Sequence, residues 1–437
     1  MGLPRGSLAP RPLRLKISRR RVGLVILFWF GSWLLLNGLL FIHKTLLSDI
    51  CTDDRSRRIL QRLCEEYRRG ILTGNLCHDL CVSRTLEYER CLYYESGKKV
   101  MKADWRGVPV VLKSKLENFS SYENFSLLEY QDAPELLPMD IVLYATLEMK
   151  NSLGLEVKSS TVPQLWARRL RGRQQKVTRA ELASLWSLLQ QEEYTFFRVL
   201  QDLSQHVVKV LGSCGHFYAV EYLIAGQARM QHLFALEELL ELPWGRKGAS
   251  GRRMVLHIAL SFMDMIRHFE DDFTHRLHLC DVKPENFAVR KDLTVVAIDA
   301  DLAFFEPKMQ AILEQNCTSN DDCVFFDCSS RCDVRRHRCG SERINSNLQV
   351  ICDKIFSYWF PTAYLGGRAG HPLEVKLRHT VQECAMGAGG RAVQERLLRL
   401  LTQLLQDSTG TPARGHQHGD TSTGTPAHVE RHRANGG

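Results

Sequence analysis

The first 50 residues hold no cysteine although the chain has 14, and the 21 residues from Val22 to Ile42 hold no charge. At ~1.5 Å per residue that uncharged run is long enough to cross a ~30 Å hydrocarbon core, so it reads as one membrane span. A cleavable signal peptide has a shorter apolar core and a small-residue cleavage site. Here the run is followed by His43-Lys44-Thr45-Leu46, so an uncleaved anchor fits better than a removed leader. Arg5, Arg11, Arg14, Lys16 and Arg19-Arg20-Arg21 stand before the span and supply much of the net +9. The basic excess is therefore no argument for nucleic acid, and no nucleic-acid partner is expected. Basic residues ahead of a span keep the N-terminus cytoplasmic and send the remainder across the bilayer, a type II arrangement. The arginine cluster also has the composition of a retention signal, although membrane orientation alone accounts for it.

Where the cysteines stand tests that orientation independently. Cys51, Cys64, Cys77, Cys81 and Cys91 form one group and Cys317, Cys323, Cys328, Cys332 and Cys339 another, with Cys214, Cys280, Cys352 and Cys384 scattered. All lie after the span, as an oxidising compartment requires. The second group lacks paired CxxC ligands and its spacing is irregular, so disulfides account for it better than zinc; their connectivity stays open. Asn118, Asn124 and Asn316 each begin an Asn-x-Ser/Thr sequon open to glycosylation on the luminal side.

The chemistry concentrates between His278 and Phe305. Asp281, Lys283 and Asn286 stand in D-x-K-x-x-N spacing, and the β-branched run Leu293 to Ile298 ends on Asp299-Ala300-Asp301. Phosphoryl transfer uses such a set: an acid to orient or deprotonate a hydroxyl, a lysine to neutralise the moving group, and an amide and a second acid to hold Mg²⁺. The segment resembles the catalytic loop and metal-binding tripeptide of protein kinases, with the two acids 18 residues apart. It departs from them in carrying Leu279-Cys280 where the family has His-Arg, and Asp301 where it has Gly. The bland alternative is an acidic loop after a surface hairpin.

Upstream, Val100 to Lys113 alternates and turns at Gly107, as a hairpin does. It resembles the kinase strands that carry the phosphate-binding lysine, which places Lys113 in that role and makes Glu193 its expected partner, with Glu192 second. Gly97 is the only glycine in Tyr94 to Met101, so the Gly-rich loop is nearly missing. About residues 118–191 exceed what a simple connection needs. Within them Leu170 to Glu181, followed by an expected helix over Leu182 to Leu200, has an EF-hand outline stripped of oxygen ligands. Leu170, Gly172, Gln174 and Gln175 occupy the positions that calcium loops reserve for ligands and glycine, and only Glu181 remains, so calcium is not expected.

His206 to Gly212 and His216 to Leu223 read as two strands leading to a hinge, Arg252 to Phe269 as an amphipathic helix, and Leu397 to Leu405 as a last one. The A-P-E end of a kinase activation segment is absent, and the second cysteine group occupies that space. Residues 408–437 repeat Thr-Gly-Thr-Pro-Ala, a polar tail that cannot bury a core.

Taken together, the anchor, the cysteine groups, the insert and the motifs resemble the divergent protein kinase domain family 1 over Val22 to Leu405. The resemblance implies an α+β, bilobal, disulfide-rich kinase-like fold in the lumen of the endoplasmic reticulum, behind one N-terminal transmembrane helix. The expected divisions are a basic tail over 1–21, the span over 22–42 and a cysteine-rich segment over 43–92. A first lobe follows over 93–223, a second over 224–405 with its insert at 317–339, and a tail over 406–437. It also implies ATP with Mg²⁺ or Mn²⁺ if the protein is active. Asp281 and Lys283 would then be catalytic, Lys113 and Glu193 nucleotide-binding, and Asn286 and Asp299 metal ligands. The acceptor, a secretory-pathway protein or glycan, is not identified, and three roles stay open: luminal kinase, pseudokinase scaffold, or calcium-sensing adaptor, the last lacking its ligands.

Overall fold

A computed structural model of the chain describes residues 27–35, 37, 51–95, 97–123, 147, 178–228, 233–234, 249–360, 372–388 and 390–407. Residues 27–35 are helical and their large apolar side chains are exposed. Among the described residues no helix is long and apolar enough to cross a membrane. The rest of the expected span, Asn124, the stretch Leu170 to Val177 and the polar tail lie outside them.

The first lobe is a five-stranded antiparallel sheet in the order β1-β2-β3-β5-β4. Its strands are β1 (Leu86–Glu95), β2 (Lys98–Trp105), β3 (Val108–Ser114), β4 (Val210–Cys214) and β5 (Phe217–Glu221). The sheet therefore starts inside the segment expected to be only cysteine-rich. Between β2 and β3 the chain turns on Arg106 and Gly107, both at positive φ (57° and 83°), the conformation a two-residue hairpin needs and one in which glycine is unstrained. Strand alternation then decides which residue faces where. Met101, Ala103, Val110 and Leu112 point to one side and pack under helix α1 (Asp53–Arg68) with Ile59, Leu60 and Leu63. Lys98, Val100, Val111 and Lys113, at the alternate positions, point to the other.

The cysteine-rich segment is thus the lid of the first lobe. Cys64–Cys81 joins α1 to the short helix α2 (Cys77–Cys81), Cys51–Cys91 joins the start of the lid to β1, and Cys77–Cys214 staples it to β4. Gly212 lies where the lid touches the sheet. A Cβ there would stand 2.6 Å from the Asn75 side chain and 2.8 Å from that of Leu76.

The helix expected over Leu182 to Leu200 is two helices, α3 (Arg179–Leu189) and α4 (Glu192–Leu200). Gln191 breaks it. Its buried amide donates to the carbonyls of Ser187 and His216 and accepts from the Lys115 amide, ties that need the chain to leave the helix at that point. Glu181, the one residual calcium-loop acid, forms a reciprocal capping box with Thr178 at the start of α3. That accounts for an acid at this position without a cation.

In the second lobe, helix α5 (Ala249–Asp271) buries Val255, Ile258, Ala259, Phe262 and Ile266, the face its periodicity marks. Short strands surround it: β6 (Ile224–Ala225), β7 (Leu277–Leu279), β8 (Phe287–Val289), β9 (Val295–Ala297) and β10 (Ala303–Phe305). One sheet is β6-β8-β9 and another β10-β7. Helix α6 (Glu306–Leu313) leads to the second cysteine group, where two small hairpins, β11/β12 (Val324–Phe325, Cys328–Ser329) and β13/β14 (Cys332–Asp333, Arg338–Cys339), are held by Cys317–Cys332 and Cys323–Cys339. Helix α7 (Asn347–Ile351), continued by a π-helical stretch over Cys352–Phe356, is followed by helices α8 (Pro372–Ala385) and α9 (Gly390–Asp407), and Cys352–Cys384 links that stretch to α8. The last helix is longer than its Leu397 to Leu405 core. All 14 cysteines are paired, the scattered four included.

Candidate functional site

Cross-strand register sets the first part of the site. Val100 pairs with Lys113, so Lys113 and Lys98 stand on the same face of neighbouring strands, diagonal to each other. Lys113 is buried; its Nζ donates to the Glu193 carboxylate from α4 and, at 2.7 Å, to the carbonyl of Ile298 just before Asp299. Glu193 also accepts the Tyr218 hydroxyl at 2.8 Å. Glu192, one residue earlier on the helix, is exposed.

The second part is the polar turn after β7. Pro284–Asn286 forms a 3₁₀ turn, with Asn286 buried at its end. The Asn286 amide donates to the Asp281 carboxylate at 2.9 Å and to its carbonyl at 2.8 Å, and the Lys283 ammonium lies 2.7 Å from the same carboxylate. These bonds fix the Asp281 carboxylate in place. The Ile298 amide donates to the Asn286 carbonyl at 2.9 Å, which couples this turn to the acidic tripeptide.

Lys98 is the residue that sequence reasoning missed. Strand β1 ends at Glu95 and β2 begins at Lys98, so a two-residue turn with Gly97 at φ +91° stands where a Gly-rich loop would extend. The Lys98 ammonium lies 2.7 Å from Asp301, 3.1 Å from Asp299 and 3.6 Å from Glu193. Burial alone would lower its pKa; Glu193, Asp299 and Asp301 outweigh that and raise it, so the ammonium keeps its proton. Burial pushes Asp299 up, but Lys98 and then Lys113 hold it below the usual carboxylate range. Glu193, fully enclosed, is raised by burial more than the two lysines lower it. The only sequence signal for Lys98 was its position straight after Gly97.

Asp327, from the second cysteine group, is a further residue outside the motifs. Its carboxylate accepts the Val282 amide at 2.6 Å and the Lys354 ammonium at 2.5 Å, and its own amide donates to Cys280 at 2.9 Å. Cys280–Cys328 makes that clamp covalent. Of the sequons, Asn316 is exposed, and Asn118 is half-buried with its side chain accepting from Arg62.

Does this set suit a divalent cation and a triphosphate? Oxygens of Glu193, Asp299 and Asp301 lie within 4.8 Å of one another, a hard donor set of the kind Mg²⁺ and Mn²⁺ prefer. Asn286, with its amide N–H groups committed to Asp281, presents its carbonyl oxygen as another donor. The residues fit, and Lys98 already places a cation among these carboxylates.

A buried lysine–glutamate pair under an antiparallel sheet, facing an Asp/Asn turn and an acid at a strand end, defines a kinase-like protein. Residues 185–387 match the family described as the protein-kinase domain of FAM69, and residues 15–138 match its N-terminal cysteine-rich part, described as of the endoplasmic reticulum. The chain belongs to the FAM69 family of kinase-like proteins of the endoplasmic reticulum.

Proposed function

We propose that the cleft binds ATP with Mg²⁺ or Mn²⁺ and serves phosphoryl transfer to an acceptor of the secretory pathway, a protein or a glycan, on the luminal side of a single type II span. The observation that carries this reading is the buried Lys113, fixed at once by Glu193 and by the Ile298 carbonyl. A fully enclosed ammonium costs desolvation energy and is retained where its charge has a use. In this reading Lys113 holds a phosphate oxygen, and Asn286 and Asp299 hold the metal ion. Asp281, oriented by Asn286, accepts the proton of the acceptor hydroxyl, while Lys283 beside it screens the charge that develops on the moving phosphoryl group. The metal ion supplies charge neutralisation at the phosphates when bound.

A second reading, a pseudokinase that serves as a binding or scaffold module and needs only the fold, is favoured by Lys98 among the metal-site carboxylates and by the short turn that replaces backbone cradling of phosphate. Melting of the full-length protein with ATP and Mg²⁺ or Mn²⁺ tests the first reading, and no stabilisation at millimolar nucleotide removes it and leaves the scaffold. Transfer of labelled phosphate with Asp281→Ala as the blank separates them.

A further inference from the structure

Away from the cleft, three side chains converge on one point where the first lobe meets the second. His206, in the segment between α4 and β4, is fully buried, and its Nδ1 lies 2.8 Å from the carbonyl of Val295. A carbonyl only accepts, so Nδ1 carries the hydrogen and the Nε2 lone pair points outward. It points at the Asp264 carboxylate of α5, 3.2 Å away. One turn along the same helix, His268 directs its Nε2 at the same oxygen, 3.8 Å away, while its Nδ1 lies against the Asp272 carboxylate. The other Asp264 oxygen is taken by Arg267 at 2.8 Å, and the Gln205 amide reaches the shared oxygen at 3.2 Å.

Two imidazole nitrogens aimed at one carboxylate oxygen leave three acceptors facing each other. A single proton bridges only one of the two nitrogens to that oxygen. A divalent cation satisfies all three. Tetrahedral zinc, with bonds of ~2.0–2.2 Å to nitrogen and oxygen, sets its ligand atoms about 3.3–3.5 Å apart, between the two separations found here. Each imidazole also has its second nitrogen against a carbonyl or carboxylate, the outer-shell anchoring that metal-bound histidines show. Asp264 and His268 are partly exposed, which leaves a way in for the ion and for a water as a further ligand.

We propose that His206, Asp264 and His268 form a site for a divalent transition-metal ion of the zinc class, which fastens the segment after α4 to α5. Helix α4 carries Glu193, so the ion would brace the lobe junction behind the cleft without touching nucleotide. The site stands independently of the phosphoryl-transfer reading.

The test uses full-length protein stripped by chelator and then given Zn²⁺ alone. Expected are a rise of several degrees in melting temperature and one tightly bound zinc that His268→Gln and Asp264→Asn each remove, while Asp299→Ala retains it. Both substituted positions are partly exposed, and cooperative melting of each variant in chelator verifies that it folds. In the stripped wild-type protein Co²⁺ should give the visible absorption of a tetrahedral N/O site, lost again on adding Zn²⁺. Zinc held by histidines of the polar tail persists in the variants and leaves melting unchanged. If wild type and His268→Gln bind equal zinc and melt alike with zinc and with chelator, the cluster is a proton-bridged ion pair and the proposal falls.

Discussion

The Lys98 ammonium lies 3.1 Å from the Asp299 carboxylate across 201 residues of sequence, and the Asp301 carboxylate completes its seat at 2.7 Å. Two departures from the kinase pattern therefore belong to one arrangement. An acid replaces the glycine of the tripeptide, and a lysine follows directly on the turn that replaces the Gly-rich loop. The chain supplies a cation to carboxylates that otherwise require one.

Removing that cation should make the site more receptive to metal. Hydrogen bonds to charged groups contribute about 1.5–3 kcal/mol each, so Lys98→Ala should lower the Mg²⁺ concentration needed for half-maximal ATP stabilisation by about tenfold or more. Melting curves over a Mg²⁺ series at fixed ATP give the midpoint. An unchanged midpoint means that Lys98 does not compete with metal.

The motif residues should separate by what they touch. Asp299→Ala should abolish Mg²⁺-dependent ATP binding, Lys113→Met should weaken it, and Asp281→Ala should leave it nearly intact while stopping any transfer. Calorimetric titration of each variant decides this, and loss of binding in Asp281→Ala would contradict the assignment.

Stability of Lys113→Met should depend on pH with a definite sign. Burial already raises Glu193 above its ordinary value near 4.5, and loss of Lys113 raises it further. The native state then holds the proton more tightly than the unfolded chain, so its advantage is full below about pH 4.5 and declines as pH rises through the native pKa. Breaking a buried pair from one side costs about 3–5 kcal/mol. That loss should be largest above the native pKa of Glu193 and shrink as pH falls through it and Glu193 takes up its proton. Melting measured across this range alongside wild type would show parallel curves if Glu193 stays ionised.

The clamp on the polar turn should be severable. Cys280 and Cys328 are 48 residues apart, a loop for which cross-linking contributes about 4 kcal/mol in the chain-entropy account. Replacing both by serine should lower melting temperature and reduce the ATP-induced shift, because Asp327 would hold the Val282 amide without covalent support. A full nucleotide shift in the double variant would show that hydrogen bonds suffice.

Topology has its own readout. Under the type II reading, glycans attach at Asn118, Asn124 or Asn316, with exposed Asn316 the better acceptor than Asn118, whose side chain already accepts from Arg62. Protease added to intact microsomes should spare everything after Lys44. Cleavage within either cysteine group would reverse the orientation.

The sequence by itself determined what is local or periodic. Alternation marked β2 and β3 with their turn at Gly107, three-to-four spacing marked the buried face of α5, and the position of every cysteine after residue 50 marked a disulfide-bonded protein. It also supplied the residues of the polar turn. What only the tertiary structure decided depends on which distant segments meet. Helical spacing already put Glu193 ahead of Glu192, but only the packing of its helix against β3 brings its carboxylate to Lys113. The buried ties of Gln191 split one expected helix into two. Cysteine partners up to 137 residues apart could not be read from spacing, since many pairings share the same sequence. Nothing local marks Lys98 beyond its place after Gly97, because Asp299 and Asp301 reach it only when the two lobes meet, and a charge acquires its role from that proximity.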